Sequence, residues 1–131
     1  MADLDRTEKI TINLGPVDLG QIDLLVQEGF YSNRTDFIRT AIRNQLTTHA
    51  EVVKRTVARK TLVLGLHHYT RQDLEALKSR GEKLQINVLG LVSIAEDVSP
   101  ELALSTIDSV TVLGALRASP AVKAALAGRI K

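Results

Sequence analysis

The chain has 131 residues, 44% hydrophobic and 24% charged, with 17 Lys and Arg against 15 Asp and Glu for a formal net charge of +2. That balance describes a soluble globular protein of one domain or two small ones, and no apolar run approaches the roughly 18 residues of a membrane span. The absence of cysteine excludes disulfides, thiolate catalysis and the usual zinc clusters, leaving three histidines as the soft ligands. The polar start Ala2-Asp3-Leu4-Asp5-Arg6 is unlike a signal peptide, so a cytoplasmic, nucleoid-associated location is expected.

Lys9-Ile10-Thr11-Ile12-Asn13-Leu14 alternates strictly between polar and apolar residues before Gly15-Pro16 stops the pattern. This period of two predicts a β-strand with Ile10, Ile12 and Leu14 on a buried face and Lys9, Thr11 and Asn13 on a wet one. Residues 17–26 then show helical spacing, with Leu19, Ile22, Leu25 and Val26 on one face and Gly29 as the left-handed cap. A second helix is announced at Ser32-Asn33-Arg34-Thr35-Asp36, where Ser32 or Asn33 caps and Asn33 with Asp36 has capping-box spacing. Its apolar stripe runs through Phe37, Ile38, Ala41, Ile42, Leu46, Ala50, Val53 and Val57, and the pattern leaves open whether the helix breaks near Thr47-Thr48. Residues 31–60 hold seven basic side chains against two acidic ones, a footprint suited to a polyanion or to a solvated helix face.

One strand followed by two helices leaves that strand without a partner, and nothing else in the first 60 residues reads as a second strand. A second copy of the chain solves the problem: two such strands paired antiparallel about a two-fold axis bury both apolar faces and turn both polar faces outward.

The order of these features, a strand with Lys9, Thr11 and Asn13 facing out, a short helix, a glycine, then Tyr31-Ser32-Asn33-Arg34-Thr35-Asp36-Phe37-Ile38-Arg39, resembles the ribbon-helix-helix DNA-binding domains of the Arc, MetJ and CopG type over residues 8–47. The resemblance implies an intertwined homodimer that inserts its antiparallel two-stranded ribbon into the major groove of double-stranded DNA. Base contacts then carry over to Lys9, Thr11 and Asn13, and phosphate contacts to Ser32, Asn33 and Arg34 at the start of the second helix. Chemically, Lys donates to guanine, Asn pairs bidentately with adenine, and Thr meets a thymine methyl or a hydrogen-bonding edge. A helix N-terminus is an anion seat.

The second half contains a repeat. Val63-Leu64-Gly65, Val88-Leu89-Gly90 and Val112-Leu113-Gly114 recur at separations of 25 and 24 residues. Each triplet is expected to end an apolar strand (61–64, 84–89 and 110–113), with the glycine bending the chain into a short second arm. Helix starts follow at Thr70 with Asp73, at Ser99-Pro100 and at Ser119-Pro120. Parallel strands joined through helices, with open sheet edges, are the expectation. His67 and His68 are weak metal candidates: counted from the glycines, His67 aligns with Val92 and Leu116, and His68 with Ser93 and Arg117, so the pair points to opposite faces.

The reading is thus α+β: a flexible N-terminus over 1–7, a ribbon-helix-helix domain over 8–47, a helical linker over 48–60 and a three-repeat strand-helix domain over 61–131. The expected function is a sequence-specific transcriptional regulator, a repressor by the resemblance, with no cofactor, no enzymatic activity and no metal. Its C-terminal domain is expected to bind a partner, an effector or a second dimer, giving tetramers or larger assemblies. Two alternatives compete with it: an antitoxin that regulates its own operon, and a structural assembly protein that does not bind DNA.

Overall fold

The structure, a computed structural model, describes residues 7–131; the flexible start expected over 1–7 lies, apart from Thr7, outside the described residues. Those residues divide into two units, 7–56 and 57–131.

In the first unit, residues 7–15 belong to no helix or strand, and the alternating segment Lys9–Leu14 stands outside the one sheet of the described residues. Helix α1 (Pro16–Gln27) starts on proline, whose fixed φ suits the first turn, and places Asp18 beside the positive end of the dipole. It ends at Glu28, after which Gly29 takes φ 86°, a left-handed conformation that glycine adopts without strain. Ile22 is buried, and Leu19, Leu25 and Val26 are half-buried, so the face expected from the spacing is the packed one.

Helix α2 (Arg34–Thr48) is capped by Asn33, whose side-chain oxygen accepts from the Asp36 N–H at 2.8 Å. The Asp36 carboxylate accepts from the Ser32 N–H at 2.9 Å, so of the two proposed caps Asn33 is the one used, and Ser32 joins through its backbone alone. The break left open by the sequence falls at His49, whose N–H reaches the carbonyls of Gln45 and Leu46, and helix α3 (Ala50–Arg59) restarts beyond it. At the joint after α3, Thr61 has φ 52°, the one non-glycine positive φ among the described residues.

The second unit alternates strand and helix: β1 (Val63–Tyr69), α4 (Arg71–Ser79), β2 (Leu84–Ile94), α5 (Pro100–Thr106), β3 (Ile107–Arg117) and α6 (Pro120–Leu126), closed by a short 3-10 turn at Ala127–Arg129. The strands form one parallel sheet in the order β1-β2-β3. All three helix starts fall where the sequence places them. Thr70 and Asp73 form a reciprocal capping box, Ser99 Oγ accepts from the Leu102 N–H at 3.1 Å, and Ser119 Oγ accepts from the Val122 N–H at 3.2 Å. The core joins Leu74, Leu102, Ala103, Val122 and Leu126 of the helices to Ile86, Val88, Val92, Ile94, Ile107 and Val110 of the strands.

One expectation needs correction: the strands do not end at the Val-Leu-Gly triplets. Each runs on through its glycine, and the three glycines align, Gly65 beside Gly90 beside Gly114. Their φ values of 133°, 144° and 125° lie in a region that L side chains rarely adopt. A Cβ on Gly90 would sit 2.1 Å from the Gly65 carbonyl oxygen, and one on Gly114 would sit 2.1 Å from that of Gly90. The repeat therefore marks a column of close backbone contacts inside continuous strands.

Candidate nucleic-acid interface

The N-terminal unit has half a core. Ile10, Ile12 and Leu14 are 76%, 57% and 41% exposed, and the stripe of α2 continues outward through Ile42 and Leu46. Leu14, Asp18, Gln21, Ile22, Leu25 and Phe37 line a groove of about 360 Å³, mainly apolar and open to solvent. Packing within the chain buries Ile22 alone in this unit. An apolar surface of this extent on one unit is the mark of an interaction face.

Lys9, Thr11 and Asn13 all lie on the exposed segment preceding α1. The other three predicted contacts gather at the start of α2, which Tyr31 and Phe37 brace by an edge-on ring contact with centroids 5.0 Å apart. Here the structure adds one residue that the sequence reading missed. Asp23 of α1 holds Arg34 in a two-pronged ion pair, with Nε to Oδ1 and Nη2 to Oδ2 both 2.8 Å. The hydrogen bond from Arg34 holds the Asp23 carboxyl below its usual range, and the same bond holds the Arg34 guanidinium further into its charged form. Both groups are exposed, so water weakens the pair. Asp36, expected from the capping spacing, occupies the Ser32 N–H with its carboxylate. Asp23 and Arg34 are eleven residues apart on different elements, a separation that carries no sequence signal; Asp36 was visible as a cap.

The basic residues Arg39, Arg43, Lys54, Arg55, Arg59 and Lys60 all remain exposed along α2, α3 and the joint that follows. The histidine alignment counted from the glycines is the observed register: His67 beside Val92 and Leu116, His68 beside Ser93 and Arg117. His68 Nδ1 and Ser93 Oγ are in hydrogen-bond contact at 3.1 Å, and among the described residues no three metal-ligating side chains converge. Nor is any helix of the described residues long and apolar enough to cross a membrane.

An uncharacterized protein of Methanocaldococcus jannaschii is 42% identical over 40 residues, which cover 30% of this chain and 41% of that protein, so the chain spans about two fifths of this curated relative's length. No solved structure matches. The profile of the ribbon-helix-helix transcriptional regulator family matches residues 5–123, nearly the whole chain. With that match added to the uncovered apolar segment and the capped second helix, the chain belongs to the ribbon-helix-helix transcriptional regulator family.

Proposed function

We propose that the protein is a sequence-specific DNA-binding repressor that works as a homodimer, with two copies of Lys9–Leu14 paired antiparallel and inserted into the major groove. The observation that carries this reading is the open apolar half-core of the N-terminal unit: Ile10, Ile12 and Leu14 alternate with polar residues and stay exposed among the described residues. A second copy supplies strand pairing and cover together, since both copies turn Ile10, Ile12 and Leu14 towards the groove at Ile22, Leu25 and Phe37. The polar row of each strand then faces out, and a two-stranded ribbon has the width the major groove admits.

In this reading Lys9, Thr11 and Asn13 meet base edges, while the start of α2 holds a phosphate. The amides of Ser32 and Asp36 are already engaged with the Asp36 and Asn33 side chains. The anion seat therefore comes down to the Asn33, Arg34 and Thr35 amides, which lack acceptors within the helix by the rule of the first turn. Arg34 contributes by exchanging Asp23 for the phosphate, a swap between two exposed charge partners. The exposed basic residues of α2 and α3 add long-range attraction.

Two variants of the full-length chain separate the parts. Ile12→Asp places a charge in the shared core, and the cost of roughly 3 kcal/mol or more should convert the dimer to monomer and abolish DNA binding together. Asn13→Ala should leave the dimer intact and lose about 1 to 3 kcal/mol of discrimination at one base position. Sedimentation and competition titration against point-substituted duplexes read both effects. A dimer unaffected by Ile12→Asp, or an Asn13→Ala loss equal on all duplexes, contradicts the corresponding assignment.

A further inference from the structure

The C-terminal sheet has two unequal edges. On the outer side of β3 the chain closes its own edge: Ile130 bridges to Val110, and the Lys131 N–H donates to the Val110 carbonyl at 2.8 Å. Arg129 anchors that return by donating to the carbonyls of Leu104 and Ile107. Strand β1, at the other edge, has no such cover among the described residues.

Strand β1 is also apolar and exposed on both faces. Val63 stands in the column of Val88 and Val112, on the side that packs against the helices, yet it is 51% exposed, whereas Val88 is buried at 3%. Leu64 and Leu66 stand on the opposite side, in the columns of Leu89 and Leu91, and are 62% and 52% exposed. A partner lying on one face of the sheet covers Leu64 and Leu66 and leaves Val63 wet. A strand added at the edge flanks all three, because cross-strand neighbours shield side chains on both faces. The glycine column points the same way. The missing Cβ of Gly90 and of Gly114 is replaced by the backbone of the preceding strand, whereas that of Gly65 faces open space.

We infer that β1 pairs with β1 of a second copy, antiparallel about a two-fold axis, so that the two C-terminal sheets join into one continuous sheet. The occupant is a second copy because one is already at hand: this inference rests on the ribbon dimer proposed above. Lys60, Thr61 and Leu62 join α3 to β1, so a dimer held through the N-terminal units keeps two β1 strands tethered in one assembly, where a short flexible tether gives an effective concentration of about millimolar. Like strands meeting across a two-fold axis give an isologous contact that closes on itself, which leaves no free edge to propagate into fibres.

The test uses the 131-residue chain, which contains no cysteine. Single variants Leu64→Cys, Leu66→Cys and Leu113→Cys are oxidised with copper phenanthroline and resolved on non-reducing gels, beside sedimentation of the wild type. Leu113 is as exposed as Leu66 but lies on β3. Covalent dimer at Leu64→Cys, Leu66→Cys or both, and none at Leu113→Cys, is the expected result. Cross-linking strongest at Leu113→Cys means that the sheets stack by their faces and overturns the inference. No cross-link anywhere with a dimeric wild type overturns it too and leaves the ribbon standing, whereas a monomeric wild type removes both. Amide exchange supplies a readout that needs no new side chain in the strand. An edge strand leaves every second amide unbonded, so pairing predicts protection at consecutive amides from Val63 to Tyr69, lost at alternate positions in Ile12→Asp. Alternate amides exchanging freely in the dimeric wild type overturn the inference.

Discussion

At Gly90 a single missing methyl decides whether two strands can lie side by side. The position combines φ 144° with a Gly65 carbonyl oxygen where the Cβ would go, whereas Gly65 has φ 133° and open space. Gly90→Ala therefore meets both backbone strain and a clash with main chain that cannot move aside, and should cost more than about 3 kcal/mol. Gly65→Ala meets no backbone within its own chain, so with both variants made in the Ile12→Asp background, where no partner strand flanks β1, it meets strain alone, about 1 to 3 kcal/mol. Chemical denaturation of the two variants checks the difference, and equal losses would show that φ, not the close approach, sets the demand for glycine. The recurrence of these glycines was plain in the sequence; their meaning was not, because a φ in this region and a neighbouring carbonyl are facts of pairing between residues 24 or 25 positions apart. The same limit hid Asp23. Nothing near Arg34 in the chain announces its partner, while Asn33 and Asp36, three residues apart, announced theirs.

Among the elements, the helices were read well because their signals are local. Asn33, Thr70, Ser99 and Ser119 each cap where a polar side chain precedes an apolar run, and proline follows directly in the last two. The capping box at Thr70 also carries a pH signature. Asp73 accepts from the Thr70 N–H at 2.9 Å and donates its own N–H to Thr70 Oγ at 3.1 Å. The bond from the Thr70 backbone, then the Thr70 hydroxyl and the nearby His68, hold its carboxyl below the usual 3.8. A carboxyl lowered in the folded state contributes stability that is fully present above its ordinary value and lost as pH falls through its lowered one. Wild type should thus lose stability on acidification through that window more steeply than Asp73→Asn, which has no carboxyl to titrate. Unfolding curves at several acid pH values would show the two slopes, and identical slopes would remove Asp73 from the account. Strand ends were read less well. A glycine in an apolar run signals a bend or a close backbone approach with equal force, and only the parallel register chose between them.

For the whole molecule, the parallel order of three strands was legible from the repeat, since strands linked through helices pair in parallel. The N-terminal segment shows the opposite case. Its alternation asks for a sheet, yet residues 7–15 belong to none among the described residues, and Ile10, Ile12 and Leu14 stay exposed. In the function proposed above for this member of the ribbon-helix-helix family, a second copy supplies that sheet and Lys9, Thr11 and Asn13 meet a DNA groove. The most direct measurement is selection of the full-length protein on random duplex DNA, followed by titration of the enriched sequence at several salt concentrations. The account predicts a two-fold symmetric site and a log–log salt slope of about −0.9 for each phosphate neutralised. Recovery of no enriched sequence, or of binding without sequence preference at every salt concentration, would contradict it.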